Sequence, residues 1–301
     1  MDSTALVGHQ LRRCHQVHNA LWADAVGGLL TSPQYSVLFT VAAAGQPLDQ
    51  LSVGRAAGLD RTTVAGVIRR LEEQGWLRRE RDAADGRRHL ITLPVPAGVA
   101  LEGLAPAVRT VQERLMAPLS ALDRAWLGGR LVDLSGHHDA AGTAGGSGTP
   151  GVRQAEDRRP GHLIRLAQQR HTVLWADEVG GIITGPQFAV LLALATSGPT
   201  GQGTVGGLAA LDRSSASDVL RRLEDRGWTA RNPDPDDRRS RLVSLTAAGR
   251  SLVGELWPAV ERVQERILEP VPGSERGRVV EGLAAVGSPH PAALAPRRGG
   301  Q

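Results

Sequence analysis

Arg12, His15, His18 and Trp22 are spaced so that, at 100° per residue, they fall within about 120° on one face of a helix. A guanidinium, two imidazoles and an indole on one stripe suit an aromatic carboxylate. The arginine fork pairs with the carboxyl group, an imidazole meets a hydroxyl and the indole stacks on the ring. The stripe recurs as Arg165, Gln168, His171 and Trp175. A partly exposed bundle helix with a core tryptophan uses the same residue types, so the pattern leaves both readings open. Cys14 lies in the same stretch, and Arg13 and His15 beside it raise a redox-responsive alternative; a small core residue, as its counterpart Ala167 would be, is the other reading.

A second set of residues has the pattern of a DNA-reading surface. Asp60 stands as an N-cap, and Arg61, Thr62, Thr63 and Arg69 accompany the small Ala65 and Gly66 away from an apolar stripe of Val64, Val67, Ile68 and Leu71. Small side chains near such an N-terminus let a helix approach base edges, and arginines supply bidentate donors. Arg87 and Arg88 follow Asp85-Gly86 at the tip of a hairpin, where a guanidinium suits a narrow minor groove. The second occurrence reads Arg213, Ser214, Ser215, Asp218 and Arg221, with Arg238 and Arg239 at its tip. Asp218 replaces Gly66 and puts a carboxylate where it either repels phosphates or accepts from cytosine N4. A solvated helix face and an ordinary surface ribbon would be the bland alternative, and finding the arrangement twice weighs against it.

The elements that must position these residues come in two copies. His18 to Leu38 matches His171 to Leu191 at 13 of 21 positions, and Ala57 to Arg79 matches Ala209 to Arg231 at 12 of 23. In the first copy a helix is expected from about Leu6 to Leu29, and a second starts at Thr31-Ser-Pro33 and runs to Ala43. A short helix over Leu48 to Ala57 and one from Arg61 to Gln74, ended by Gly75, precede strands at Trp76 to Arg79 and His89 to Leu93. Helices from Gly98 to Leu119 and Ser120 to Leu134 close the copy. In the second copy Gly201, Gly203 and Gly207 replace Asp49, Leu51 and Arg55, so a weaker supporting helix that lacks a core leucine is expected.

The expected organisation is a first domain over 1–136, a flexible linker over 137–160, a second domain over 161–286 and a disordered tail over 287–301. Gly, Ala, Ser, Thr and Pro dominate the linker, and a coil of roughly 25 residues reaches on the order of 25 to 30 Å.

Composition excludes several classes. A chain of 301 residues, 41% hydrophobic and 22% charged, is that of a globular protein with room for two cores. All 35 basic residues are arginine, so a net charge of only +4 accompanies a pI near 10.6. Arginine without lysine permits nucleic-acid binding and also fits codon bias. No apolar run is long enough to span a bilayer and Met1 to Leu6 lacks a signal-peptide layout, so a cytoplasmic protein with no membrane partner is expected. One cysteine forms no internal disulfide, His137-His138 lacks further ligands, and neither a phosphate loop nor a nucleophile elbow is present. No metal, cofactor or catalytic residue is expected, and an enzyme is the weakest class.

Two helices joined by a short turn and followed by a hairpin form a winged helix-turn-helix. The fold class expected is therefore mainly α with small β-hairpin wings, as two winged helix-turn-helix domains forming an intramolecular pseudo-dimer. At Leu59-Asp-Arg-Thr-Thr-Val64, Arg70-Leu71, Gly75-Trp76 and Asp82-Ala-Ala-Asp85-Gly-Arg-Arg88 the sequence resembles the MarR family of transcriptional regulators. The second copy repeats the resemblance at Leu211-Asp-Arg-Ser-Ser215, Gly227-Trp228 and Asp234-Pro-Asp-Asp237-Arg-Arg239. Gly8-His-Gln-Leu-Arg12 and Gly161-His-Leu-Ile-Arg165 resemble the first helix of the branch that senses phenolic and benzoic acids. The resemblance implies intertwined terminal helices, two recognition helices about one DNA turn apart, double-stranded DNA as partner and repression relieved by a small aromatic carboxylate. An interaction protein that has lost specific DNA binding is the competing class, and further self-association into four winged helices is the competing assembly.

Overall fold

The computed structural model describes residues 6–82, 89–136, 159–235 and 241–288. The sequence-expected linker and tail fall largely outside these ranges, as do both hairpin tips.

The N-terminal copy opens with α1 (Val7–Val26) and α2 (Ser32–Ala44). Thr31 starts α2 as part of a capping box: its hydroxyl accepts from the Gln34 amide, and the Gln34 side chain accepts from the Thr31 amide at 2.8 Å. Strand β1 (Leu48–Asp49) leads into α3 (Gln50–Ala57), which begins two residues later than the sequence suggests, because Asp49 caps it by accepting from the Ser52 amide at 2.9 Å. Recognition helix α4 (Arg61–Glu73) follows, then β2 (Arg78–Arg81), β3 (His89–Thr92), α5 (Val95–Met116) and α6 (Ala121–Ser135). Strand β1 was not expected; its two residues pair with β3 at Leu48↔Ile91 and Asp49↔Leu90, giving an antiparallel sheet of order β1-β3-β2.

The C-terminal copy repeats the order with α7 (Pro160–Val179), α8 (Gly185–Ser197), β4 (Thr200–Gly201), α9 (Gln202–Leu208) and recognition helix α10 (Arg213–Asp225). Strands β5 (Thr229–Pro233) and β6 (Arg241–Leu245), α11 (Ala247–Leu268) and α12 (Arg276–Gly287) complete it, with sheet order β4-β6-β5. Gly201 caps α9 without a side-chain hydrogen bond. The expected loss of a core leucine is corrected: Leu51 is 58% exposed, so glycine at 203 removes no core side chain.

Both recognition helices bury one stripe and expose the rest. Val64, Ile68 and Leu71 of α4 are buried, as are Ala216, Leu220 and Leu223 of α10. Their spacing of four and three residues keeps the apolar stripe on the core and the arginines in solvent.

The described residues divide into two compact units. One, the N-unit, comprises 17–132 and 159–166; the other, the C-unit, comprises 6–16, 133–136 and 167–288. Each unit therefore contains the opening turns of the other copy's first helix. In the C-unit, the Val7 amide donates to Gln264 Oε1 at 3.0 Å; in the N-unit, the Gly161 amide donates to Gln112 Oε1 at 2.9 Å. Two glycines permit these turns to dock. A Cβ on Gly8 would lie 2.1 Å from His171 Nε2, and one on Gly161 would lie 2.3 Å from His18 Nε2.

Candidate nucleic-acid interface and effector cleft

Asp60 accepts from the amides of Thr62 and Thr63 at 3.0 and 2.9 Å, and Asp212 does the same for Ser214 and Ser215. These caps hold the orphan amides of α4 and α10 and keep both aspartates ionised, with carboxyl groups well below the usual range because neighbouring hydroxyls donate to them. The hydroxyls of Thr63, Ser214 and Ser215 are those donors, so three expected base readers are committed first to capping. Arg61, Thr62, Arg69 and Arg213 are exposed on the same faces. Asp218 lies 2.7 Å from Arg221 Nη2 and 2.8 Å from Arg222 Nη2. Its carboxyl is held down chiefly by Arg221, so the charge that distinguishes α10 from α4 is already paired with arginine. Arg87, Arg88, Arg238 and Arg239 lie outside the described residues.

The proposed ligand stripe is divided in an unexpected way. Arg12 and His15 belong to the C-unit, with Gln168, His171 and Trp175; His18 and Trp22 belong to the N-unit, with Arg165. Within the C-unit, Arg12, His9, His171, Trp175, Phe188 and Gln264 line a narrow cleft whose open space is on the order of one water molecule. Arg12 comes from α1 and its aromatic neighbours from α7 and α8, so the cleft combines residues of both copies. His15 and Gln168 do not line it. His9, Phe188 and Gln264 were not singled out from sequence, although the recurrence of Gly8-His9 as Gly161-His162 was a visible signal for the first of them.

The electrostatics of the cleft are unusual. Arg12 finds no hydrogen-bond acceptor among the described residues, and its buried Nε is orphaned. Burial pulls the guanidinium down to about 10, which still leaves it charged at neutral pH. His171 is pushed down to about 4, first by burial and then by repulsion from Arg12, and so is neutral above that pH. Trp175 donates from Nε1 to the Ile183 carbonyl at 2.7 Å and packs its ring against Phe188, with centroids 5.4 Å apart. Among the described residues the cleft thus offers a cation without an ion-pair partner, a neutral imidazole and aromatic walls.

His171 gives a pH prediction. Unfolded His171 titrates near 6.5 and folded His171 near 4, so between those values the unfolded chain takes up a proton that the folded chain refuses. Its contribution to stability is unaffected above pH 6.5, falls as pH drops, and levels off below 4. By pH 4.5 the loss is about 2 to 3 kcal/mol. His171→Gln should lose correspondingly less stability between pH 7 and 4.5 in urea unfolding; identical losses in the two proteins would remove His171 as the cause.

The N-unit counterpart is different. Arg165 donates from Nη1 to the Gly58 carbonyl and from Nη2 to the Ala57 carbonyl, both at 2.6 Å, with Ser36 Oγ at 3.4 Å and His162 Nδ1 at 2.9 Å. The donor fork expected to hold a ligand is spent on the end of α3, beside the turn into α4. His18 is buried beside Trp22, which donates to the Leu30 carbonyl at 2.7 Å.

Cys14 is buried in the C-unit, its thiol donates to the Leu283 carbonyl at 3.1 Å, and burial pushes it up to about 12. A peroxide-reactive cysteine needs an accessible thiolate, so this geometry opposes the redox alternative. Among the described residues no cluster of His, Cys, Asp and Glu is arranged to hold a metal, and no helix is long and apolar enough to cross a membrane.

Paired winged helix-turn-helix units with arginine-bearing recognition helices define a DNA-binding regulator of transcription. Two family models, both described as MarR family, match residues 30–88 and 183–240. The HTH-type transcriptional repressor NicR of Pseudomonas putida is 32% identical over 117 residues, covering 38% of this chain and 74% of that protein. The transcriptional regulator HosA of Escherichia coli is 36% identical over 114 residues, covering 38% of this chain and 82% of that protein. The crystal structure of the PcaV transcriptional regulator from Streptomyces coelicolor with its natural ligand is 39% identical, covers 38% of this chain and 82% of that one, and has a TM-score of 0.37. The chain belongs to the MarR family, and models of that family match it twice, once in each copy.

Proposed function

We propose that this regulator is a repressor whose two winged helices, held in one chain, act as an intramolecular pseudo-dimer on one operator, and that a small aromatic carboxylate releases it. The observation that carries the effector class is Arg12: a charged guanidinium in an aromatic cleft, its buried Nε without an acceptor among the described residues, beside an imidazole kept neutral. A carboxylate would satisfy the guanidinium, and, once the lining side chains part to admit the ring, the imidazole would hydrogen-bond a ring hydroxyl without adding a second charge. The name of NicR supports repression, and the cap geometry of α4 and α10 supports Arg61, Thr62, Arg69 and Arg213 as the described residues that meet DNA.

The test is to recover and sequence the genomic DNA that the full chain retains, then add 4-hydroxybenzoate to the labelled complex and follow fluorescence anisotropy. Release by 4-hydroxybenzoate, and none by 4-hydroxybenzamide, is expected. Retention of the complex at saturating concentrations of a panel of benzoic and phenolic acids would overturn the effector class. Light scattering of the protein–operator complex checks the assembly: one chain per operator is expected, and an obligate particle of two chains on a single operator would overturn the pseudo-dimer.

A further inference from the structure

Arg12 and Arg165 occupy equivalent places in the repeat but differ in what surrounds them. Three sequence differences account for this. Ser36, whose hydroxyl lies near Arg165, corresponds to Ala189, which lines the cleft of Arg12 and has no hydroxyl to offer. Gly58, whose carbonyl receives Arg165, corresponds to Ala210. Leu166, which covers Gly58, corresponds to Arg13, whose Nε donates instead to the Gly287 carbonyl at 3.2 Å.

The exchange of Gly58 for Ala210 has a steric consequence. Gly58 has a φ of +59°, and a Cβ there would lie 1.9 Å from Leu166 Cδ2 and 3.8 Å from Arg165 Nη1. Glycine at 58 suits both the positive φ and the packing of Leu166 over the end of α3. Ala210 keeps the same left-handed backbone, at φ 53°, but carries a Cβ that a leucine packed as Leu166 is on Gly58 would meet. It is the one non-glycine residue with positive φ among those described. In the C-unit Arg12 lines the cleft instead, its buried Nε without a hydrogen-bond partner among the described residues.

We propose that the two arginines have divided the work, Arg12 being the carboxylate partner of a single effector per chain and Arg165 a clamp on the turn that enters recognition helix α4. The effector half of this rests on the function proposed above; the clamp half stands on the N-unit geometry alone. Arg165 satisfies two carbonyls at the C-terminal end of α3, two residues before the Asp60 cap, where a cation is favoured by the helix dipole and by orphan acceptors. Release of the protein from DNA is then driven from one cleft, while the other retains its reading head in place.

Arg12→Met and Arg165→Met in the full chain distinguish the roles. Arg165→Met is expected to lower Tm by about 5 °C or more and to speed hydrogen exchange at the amides of Gly58 and Leu59, because two carbonyls lose their donors. Arg12→Met is expected to leave Tm unchanged or raise it, because it removes a buried charge whose Nε has no acceptor among the described residues. In calorimetric titration with 4-hydroxybenzoate, wild type and Arg165→Met should take up one equivalent and Arg12→Met none. Equal falls in Tm for the two variants, or two equivalents bound by wild type, would overturn the division. Should wild type bind no 4-hydroxybenzoate or other benzoic acid, the effector class fails, and the opposite responses of Tm and exchange still decide whether Arg165 is the clamp.

Discussion

Arg12→Ala should weaken 4-hydroxybenzoate binding by about 30- to 150-fold, the equivalent of roughly 2 to 3 kcal/mol for a charge-assisted pair lost from a desolvated site. The benzamide, which has no carboxylate, should bind both proteins about equally and poorly. The comparison separates the charge from the aromatic walls, because Trp175 and Phe188 remain in both proteins. A pH series adds an independent check. A bound carboxylate offsets the Arg12 charge that, after burial, holds His171 down, so binding raises His171 towards its ordinary value. By linkage the complex takes up part of a proton as pH nears the raised His171 value, and since burial still holds that value below 6.5, affinity should rise only modestly towards pH 5, until the ligand's own carboxyl begins to protonate. Titration calorimetry of wild type and Arg12→Ala at several pH values reads both effects. Equal affinity in the two proteins would take Arg12 out of the site, and a flat profile with a large Arg12 effect would place the ligand away from His171.

The reading heads were legible because every device that makes them is local. Asp60 and Asp212 precede their helices by one residue, the apolar positions recur at helical spacing, and Gly75 adopts the left-handed conformation expected after a helix end. Strand β1 was not legible: Leu48 and Asp49 have no alternation to announce a strand and become one only by pairing with Ile91 and Leu90, forty residues on. The stripe of Arg12, His15, His18 and Trp22 was legible as a helix face and not as a cleft. A helical wheel places Arg12 and Trp22 on one face but omits the rise of about 1.5 Å per residue, which sets them roughly 15 Å apart along the axis, too far for one small ligand. The cleft joins Arg12 instead to His171 and Trp175, a combination that the repeat alone cannot specify, because it depends on which helix turns dock in which unit. The difference between Arg12 and Arg165 was present in the sequence as Ser36 against Ala189 and Gly58 against Ala210. Its meaning needed the positions of the Ala57 and Gly58 carbonyls.

Arg61→Ala should cost more operator affinity than Arg213→Ala, about 10- to 100-fold against about threefold, since a lost arginine contact to DNA is worth roughly 1 to 3 kcal/mol where the head is well placed and less where it is not. The asymmetry has three physical sources. Helix α3, which supports the first head, is capped by the Asp49 side chain, whereas α9 is capped by Gly201 with none, a difference worth a few tenths of a kcal/mol. Gly203 and Gly207 add backbone entropy to α9 that Leu51 and Arg55 do not add to α3. On the recognition helix itself, Asp218 pairs with Arg221 and Arg222, so two guanidinium groups of α10 are held by a carboxylate. Exposed pairs of this kind contribute little to stability. Their effect on DNA is larger, because phosphate contacts must compete with the carboxylate and the salt dependence of binding falls with each cation withdrawn. Asp218→Gly should therefore tighten binding to non-specific DNA and steepen its salt dependence, and the natural operator should be an imperfect palindrome whose stronger half meets α4. Both arginine variants are to be titrated at fixed salt against the recovered operator and against its two symmetrised versions. Equal losses, with a perfect palindrome bound best, would show that the heads are equivalent and that neither the glycines of α9 nor the Asp218 pairs bear on recognition.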